Sequence, residues 1–480
     1  LLFFDEAADC ITHYVTSFRM KIVQSKVNQI QIPAEFNSMA WHPLSWTQKE
    51  AKQIPLYPDT GALESAFTRL RSLPPLITSW EIEALKKKLA LAGRGQAFVL
   101  QGGDCAETFE GCTSPKIVNL MKVMIQVSFI LLHETQKPIL RIGRVAGQYA
   151  KPRSKETEVV NGQEMLTYRG DLVHSIEETT EARTPDPERM IEAYTRSALT
   201  LNFLRALSDE GFADLNHPEY WELGFMKNNE FYDEYEGIIQ NINKAISFMD
   251  AVTEQPLITL QRLDLYSSHE ALHLFYDAAQ TRRVPRKQGW YNLSSHMVWL
   301  GNRTRDPEGA HVEYLRGIEN PIGVKVDASI TKDELARLLE RLNPEREEGK
   351  IMLISRLGAD QTEEHLPALI RTARATGHPV VWSCDPMHGN TFLAGKVKTR
   401  RFEDIEREIS AAFDVHDAEG SILGGVHLEM TGDNVTECVG GVSGLNEEGL
   451  LQTYETYCDP RLNYEQSLEL AFLIARKVRG

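Results

Sequence analysis

Cysteine is scarce in this chain: six in 480 residues, at Cys10, Cys105, Cys112, Cys384, Cys438 and Cys458, with no CxxC spacing. That density excludes a disulfide-stapled scaffold and points to a reducing compartment. Long hydrophobic runs are missing as well, since no window approaches the roughly 18 apolar residues of a membrane span. The opening LLFFDEAADC carries acids where a secretory signal would carry basic charge. A cytoplasmic protein with no membrane partner is the expectation, and because the chain opens on Leu1, Met20 is a candidate start. Positive charge is in deficit, 52 Lys and Arg against 68 Asp and Glu, and the net charge of −16 disfavours a nucleic-acid partner. Nucleotide loops are absent too: no GxGxxG follows an expected strand and no GxxxxGK[ST] occurs. Phosphate chemistry must therefore rest on local basic clusters.

What is present is a chain with 42% hydrophobic and 25% charged residues, enough for a full core and too balanced for disorder. Its length suits two or more domains or one large enzyme barrel. Residues 1–95 read as an N-terminal extension with accessory helices: irregular packing around a short helix near Trp41 and Trp46, both expected to be buried, then two helices in 60–91 broken at Pro74 and Pro75. After Gly95 short apolar runs alternate with helical stretches, and runs apolar throughout belong to parallel strands covered by helices. Eight strands are expected, near 97–102, 138–143, 256–261, 296–301, 322–326, 351–355, 379–384 and 423–429. Helical connectors are expected at 331–342, 362–375 and 402–418, with Ser329 or Thr331 as an N-cap and Gly377 as a C-cap. The fold class that follows is α/β, a (β/α)8 TIM barrel over residues 96–480 with a helical insertion at about 155–255, after strand two, holding helices near 188–207 and 235–250. An open doubly wound sheet is the competing fold.

Barrel enzymes take their reacting groups from the C-terminal ends of different strands. Each expected strand here ends in chemistry: Asp104, Cys105 and Glu107; Arg144, Lys151 and Arg153; His269 and Glu270; Asn302, Arg303 and Arg305; Lys325; Arg356; Asp385 and His388; His427 and Glu429. One such charge is ordinary solvation, but eight strands of eight are not. Concentrating Arg144, Lys151, Arg153, Arg303, Arg305, Lys325, Arg356 and Lys398 costs energy unless anions balance them, so substrates with more than one anionic group are implied. Cys105, His388, Glu429 and Asp459 are each legitimate ligands, and such a set suits Mn²⁺, Fe²⁺, Co²⁺ or Zn²⁺ better than Mg²⁺. They are too far apart in sequence to form a local motif. A buried inert cysteine is the other reading of Cys105.

Six strings carry a resemblance: QGGDCAE, GRVAGQYAKPRS, MVWLGNRTR with GAHVEYLRGI, WSCDPMHGNT, GGVHLEMTGDNVTEC and CDPRLNYEQSLELAF. In this order they resemble the motifs of class II (plant-type) 3-deoxy-D-arabino-heptulosonate 7-phosphate synthases, over roughly residues 40–480. The resemblance implies a transferase that condenses phosphoenolpyruvate with erythrose 4-phosphate at the first step of the shikimate pathway. It implies a divalent metal, Mn²⁺ or Co²⁺ before Zn²⁺ or Fe²⁺, on Cys105, His388, Glu429 and Asp459. Arg144, Arg303, Lys325 and Arg356 take positions that hold phosphoenolpyruvate, and Lys151, Ser154 and Lys398 lie toward the aldose phosphate. Lys151, Glu270 and His388 are the expected catalytic groups, with no single general base assigned. A homo-oligomer, dimer or tetramer, and an aromatic amino acid effector are further implications.

Two departures stand out. Many members read GERTR where this chain has GNRTR, so Asn302 replaces an acid, and VDASI after Lys325 is also uncommon. A related antibiotic-pathway synthase, acting on an amino-sugar phosphate or supplying a dedicated pathway, is the alternative. Cys458 immediately precedes Asp459, so its backbone is expected to approach the Cys105 sulfur if both ligands hold one ion.

Overall fold

Strands that are apolar on both faces need cover on both faces. In the computed structural model, which describes residues 40–209, 236, 237, 240 and 264–479, they obtain it by closing into a barrel. Its strands are β1 (Phe98–Gly103), β2 (Ile139–Arg144), β3 (Leu265–Glu270), β4 (Met297–Leu300), β5 (Ile322–Val326), β6 (Ile351–Ser355), β7 (Val381–Cys384) and β8 (Leu423–Glu429). Consecutive strands pair in parallel, and β8 closes on β1. The open sheet is excluded.

One expected strand is displaced. The run at 256–261 lies outside the described residues, and the third place in the barrel belongs to Leu265–Glu270, LYSSHE. Polar residues form this strand because the fold supplies partners for Ser268 and His269: the Ser268 hydroxyl donates to Gly143 O at 3.0 Å, and His269 Nε2 stands 2.9 Å from Asp277 Oδ1. His269 and Glu270 are thus strand residues, not residues of a following loop.

The helices come where the apolar periodicity places them. α1 (Thr60–Ser72) and α2 (Ser79–Gly93) flank the Pro74–Pro75 break and precede the barrel. α3 (Ser114–Thr135) connects β1 to β2, α4 (Glu188–Asp209) belongs to the insertion, and α5 (Leu274–Ala279) and α6 (Ala310–Leu315) follow β3 and β4. α7 (Lys332–Leu342), α8 (Thr362–Thr376) and α9 (Phe402–Ala418) link β5 to β8, and α10 (Tyr464–Arg479) ends the described chain. Thr331, not Ser329, caps α7, in a reciprocal box with Glu334. Gly377 ends α8 in the left-handed region, at φ 70°. The helix expected at 235–250 falls almost wholly outside the described residues, as do residues 1–39.

The N-terminal layer begins with a 3-10 turn at Ser45–Gln48. Trp46 is fully buried, whereas Trp41 is half-buried and its indole donates to Glu313 O at 2.8 Å. The expectation that no segment is apolar enough for a membrane needs correction: α3 is, by length and composition, yet 67% of its most apolar window is buried inside the fold. It packs along α10 and against β1 and β2, so its apolar surface belongs to the layer outside the barrel.

Side chains two apart on a strand share a face, and the barrel interior therefore layers by chemistry. The lower layer is apolar, with Val99, Ile142, Tyr266, Trp299 and Ile354. Two residues further along β1, β2 and β3, Gln101, Arg144 and Ser268 form a polar floor together with His427. Gln101 Nε2 donates to Ser268 Oγ at 3.0 Å, its Oε1 stands 2.7 Å from His427 Nδ1, and Arg144 meets His427 Nε2. Above this floor the mouth opens.

Gly103 holds the register at the seam, facing Glu429 on β8 and Arg144 on β2. Its φ of 140° suits glycine, and an added Cβ would lie 2.8 Å from Arg144 O. Gly103→Ala should lower stability by about 1–3 kcal/mol, read as a lower urea midpoint at constant slope. An unchanged midpoint would show that the seam tolerates a side chain.

Candidate active site

The strand ends converge on one cavity of about 430 Å³. Arg144, Lys151, Arg153, Lys155, Arg303, Lys325, Arg356 and Lys398 line it, with Ser154, Glu270, Trp299, Asn302, His388 and Asp459. Cys105 and Glu429 lie buried beside it. Arg305 is absent from the lining and binds Asp327 and Ser329 instead. Asp104 also turns away, accepting from Arg461 at 2.6 Å.

Cys105 Sγ and one carboxylate oxygen each of Glu429 and Asp459 lie within 4.8 Å of one another. Gly103 faces Glu429 in register, which brings residues more than 300 positions apart to one point, and the chain after β8 returns so that Asp459 N donates to Cys105 Sγ at 3.3 Å. His388 is outside that trio, but its Nε2 is 3.0 Å from Glu429 Oε1. Cys458 is packed against Cys105 and Tyr168, so the expected approach of the two cysteines is found.

Three buried acids so close repel one another's charged forms, and cations must hold them. Lys151 Nζ donates to Cys105 Sγ at 2.7 Å and lies 2.8 Å from Asp459 Oδ2 and 3.6 Å from Glu429 Oε1. Arg144 takes Glu429 Oε1 at 2.9 Å, Arg400 takes Oε2 at 2.7 Å, and Lys398 takes Asp459 Oδ1 at 2.8 Å. Burial pushes the Glu429 carboxyl up, but His388, Lys151, Arg400 and Arg144 outweigh it and hold it well below the usual carboxylate range. Burial, the Cys458 side chain and the Glu429 charge push the Cys105 thiol up, with Lys151 opposing. Burial disfavours the Lys151 ammonium, yet Asp459, Cys105 and Glu429 keep it charged. A thiol, two carboxylates and an adjacent imidazole fit a divalent transition metal, whose charge favours all the ionised forms together.

Asp385 organises the opposite wall. It is fully buried, accepts from the Met387 and His388 N–H groups at 3.0 and 3.2 Å, and contacts both Lys325 Nζ and His388 Nδ1, the latter at 2.7 Å. The imidazole of His388 thus stands between two carboxylates, Asp385 at Nδ1 and Glu429 at Nε2. Glu107 plays a comparable part below Lys151: it accepts from the Ala146, Gly147 and Gln148 N–H groups at 2.8–2.9 Å and shapes the AGQYAK loop.

Some polar atoms are left over. Among the described residues, Glu270 Oε1, Asn302 Oδ1 and Arg356 Nε are buried without a hydrogen-bond partner, and all three residues line the cavity. Native interiors rarely leave such groups unmet, so they point to a polar ligand. Arg303 Nη2 donates to Ser154 Oγ at 2.5 Å. The two sequence departures meet here, since Asn302 Nδ2 donates to Asp327 Oδ2 at 2.5 Å. An acid at 302 would face Asp327 across that gap, so the amide suits its neighbour.

Arg400 is the functional residue that sequence reasoning missed. It is fully buried, holds Glu429 Oε2, and contacts Pro460 O beside Asp459. In VKTRR it reads as part of a solvated basic run, and its exposed neighbour Arg401 is one. Asp385 had a signal, its position three residues before His388.

A closed (β/α)8 barrel with an acid cluster and eight Lys and Arg side chains around one cavity at its C-terminal mouth defines a barrel enzyme for anionic substrates. The chain belongs to the Class-II DAHP synthetase family, whose model matches residues 41–475. It is 44% identical over 460 residues to a phospho-2-dehydro-3-deoxyheptonate aldolase of Neurospora crassa, covering 92% of this chain and 95% of that one. It is 45% identical over 436 residues to a protein of the same name from Streptomyces coelicolor, covering 91% and 97%.

Burial lowers the Lys325 ammonium to about 8, against the pull of Asp385 in the other direction. Deprotonation above that pH removes a positive charge from the cavity. Affinity for a phosphate-bearing anion should therefore be highest below about pH 8 and fall as pH rises through it, and Lys325→Arg should abolish the fall. Calorimetric titration across pH checks this; a fall retained in Lys325→Arg would assign the titration elsewhere.

Proposed function

We propose that the protein is a 3-deoxy-7-phosphoheptulonate synthase. It joins phosphoenolpyruvate to D-erythrose 4-phosphate with water, giving 3-deoxy-D-arabino-heptulosonate 7-phosphate and inorganic phosphate, the entry step of the shikimate pathway. The observation that carries this reading is the single cavity into which separate strand ends deliver both the acid cluster and its ring of cations. The relatives' common name, phospho-2-dehydro-3-deoxyheptonate aldolase, favours this reaction over an amino-sugar variant.

Cys105, His388, Glu429 and Asp459 would hold the divalent metal, with Mn²⁺ or Co²⁺ preferred for a mixed sulfur, nitrogen and oxygen set. When bound, the ion supplies Lewis acidity toward the aldehyde oxygen of erythrose 4-phosphate. The remaining work falls to the protein. Arg303, Lys325 and Arg356 hold the phosphate and carboxylate of phosphoenolpyruvate, while Lys398 and Ser154 face the phosphate of the aldose. Arg144 lines the cavity but spends its guanidinium on Asp104 O, Cys105 O and Glu429, so its part is to fix the floor under phosphoenolpyruvate.

Carbon–carbon bond formation joins C3 of the enol phosphate to the aldehyde carbon, and water adds at C2. Breaking the C2–O bond then releases phosphate and leaves the ketone. Two groups at the inner wall carry protons for these steps. The Lys151 ammonium is one, and the Glu270 carboxyl, pushed up by burial against Lys151 and Lys325, is the other. Homo-oligomeric assembly and response to an aromatic amino acid belong to the same proposal and rest on the family alone.

Purified protein given both substrates should form product and phosphate in equal amounts, lose activity to a chelator and regain it with Mn²⁺ or Co²⁺. Arg303→Ala should raise KM for phosphoenolpyruvate by about ten-fold or more while sparing erythrose 4-phosphate, and Lys398→Ala should do the reverse. No product from the wild-type chain would reject the reaction. Equal losses toward both substrates in both variants would reject only this division of the cations.

A further inference from the structure

Two of the loops at the mouth are tied together from behind by residues that touch neither the cavity nor the acid cluster. Glu408, on α9, is 1% exposed and has no cation within salt-bridge reach among the described residues. Its Oε1 accepts from the Leu357 and Gly358 N–H groups, each at 3.0 Å. Its Oε2 accepts from Asn390 Nδ2 at 2.7 Å. The Asn390 amide completes the bridge: Nδ2 also donates to Pro386 O at 2.8 Å, and Oδ1 accepts from Ala359 N at 2.9 Å. One carboxylate and one amide thus satisfy backbone groups of both the loop after β6 and the loop after β7.

These are the loops that carry Arg356 and His388, each two residues before a pinned position. Contact between the loops is direct as well. Arg356 Nη2 donates to His388 O at 3.2 Å, and a Cβ added at Gly389 would lie 2.3 Å from Gly358 N. The backbones are pressed together with no room for adjustment, so the hydrogen bonds behind them set where both side chains stand.

We propose that Glu408 and Asn390 form a positioning clamp that fixes the metal-side His388 and the phosphate-side Arg356 relative to each other. The role of the clamp rests on the synthase reading above. A buried carboxyl without a cation is costly: burial, aided by the Asp385 charge, pushes Glu408 up to about 8, and the Gly358, Leu357 and Asn390 donors oppose that shift. Lys398 stands on a separate two-stranded hairpin, Phe392–Ala394 paired with Val397–Thr399, which none of the clamp's hydrogen bonds reaches, so loss of the clamp separates the substrates. Metal affinity and phosphoenolpyruvate use depend on it, and, once Mn²⁺ is saturating, the KM for erythrose 4-phosphate does not.

The chemistry of the pair supplies the test. Asn390→Asp replaces a donor by an acceptor where the amide donated to Glu408 at 2.7 Å, and above about pH 8 sets two charged carboxylates together. Adding Glu408→Gln restores a donor to the 390 side chain and keeps an acceptor for the Leu357 and Gly358 N–H groups, leaving the Pro386 O contact unpaired. Asn390→Asp should weaken Mn²⁺ binding, measured by equilibrium dialysis, by about ten-fold and raise KM for phosphoenolpyruvate comparably. With Mn²⁺ saturating in the rate assays, KM for erythrose 4-phosphate should stay within about two-fold, and the double variant should return all three toward wild type. Asn390→Ala, at a half-buried position, is the second variant should Asn390→Asp fold poorly by circular dichroism, and the same split is expected from it. Unchanged Mn²⁺ affinity, a parallel rise in both KM values, or no rescue in the double variant would overturn the clamp while leaving the synthase reading intact. A wild-type chain that neither binds Mn²⁺ nor consumes phosphoenolpyruvate would overturn both.

Discussion

Glu429 is the residue on which the mouth of this barrel depends. It is fully buried at the last position of β8, and a carboxylate taken out of water carries a desolvation cost of several kcal/mol even after relaxation. Arg144 from β2 meets one oxygen and Arg400 from the segment after β7 meets the other, with His388 and Lys151 close by. Each of these cations is fixed in turn by something else: Arg144 by the floor of Gln101 and His427, His388 by Asp385, Lys151 by Asp459 and Cys105. Neutralising a single buried charge thus ties together β1, β2, β7, β8 and the returning chain. The same requirement makes the site selective for a cation, since a group that joins Cys105, Glu429 and Asp459 must be positive.

The anionic substrates fit the same logic from the other side. Around this negative centre stands a wider ring of Arg and Lys, and the protein's overall charge of −16 means that the ring is a local construction. Arg356 Nε, Glu270 Oε1 and Asn302 Oδ1 remain unmet at its inner wall. A cavity that is positive outside and negative at one buried corner separates two tasks, holding phosphates and holding the cation that would polarise a carbonyl oxygen.

Seven of the eight strands were legible because a parallel barrel buries both faces of its strands and so writes continuous apolar runs. β3 escaped for the opposite reason. Ser268 belongs to the polar floor, Glu270 points to the mouth and His269 is held by Asp277, so the strand reads as a polar loop while a better apolar run lies just upstream. Capping chemistry was legible at Thr331 and Gly377, where one side chain or one φ decides the helix end. The convergence of Cys105, His388, Glu429 and Asp459 was expected only from single residues at strand ends and from the family resemblance; no local spacing encodes it. Arg400 and Glu408 had no comparable signal. Their burial depends on partners brought in by tertiary closure, Glu429 for the first and two glycine-tight loops for the second. Asn302 and VDASI looked like separate oddities until Asn302 and Asp327 were found in contact.

The central claim is that the β1–β8 seam and the chain returning after it build one cation site shared by Cys105, His388, Glu429 and Asp459. Anomalous diffraction from crystals grown with Mn²⁺ tests it most directly. The account predicts one strong peak within coordination distance of Cys105 Sγ, His388 Nε2 and the two carboxylates, with Lys151 Nζ moved off the sulfur. An active crystal whose anomalous peak lies elsewhere, or within reach of none of these four residues, would contradict it.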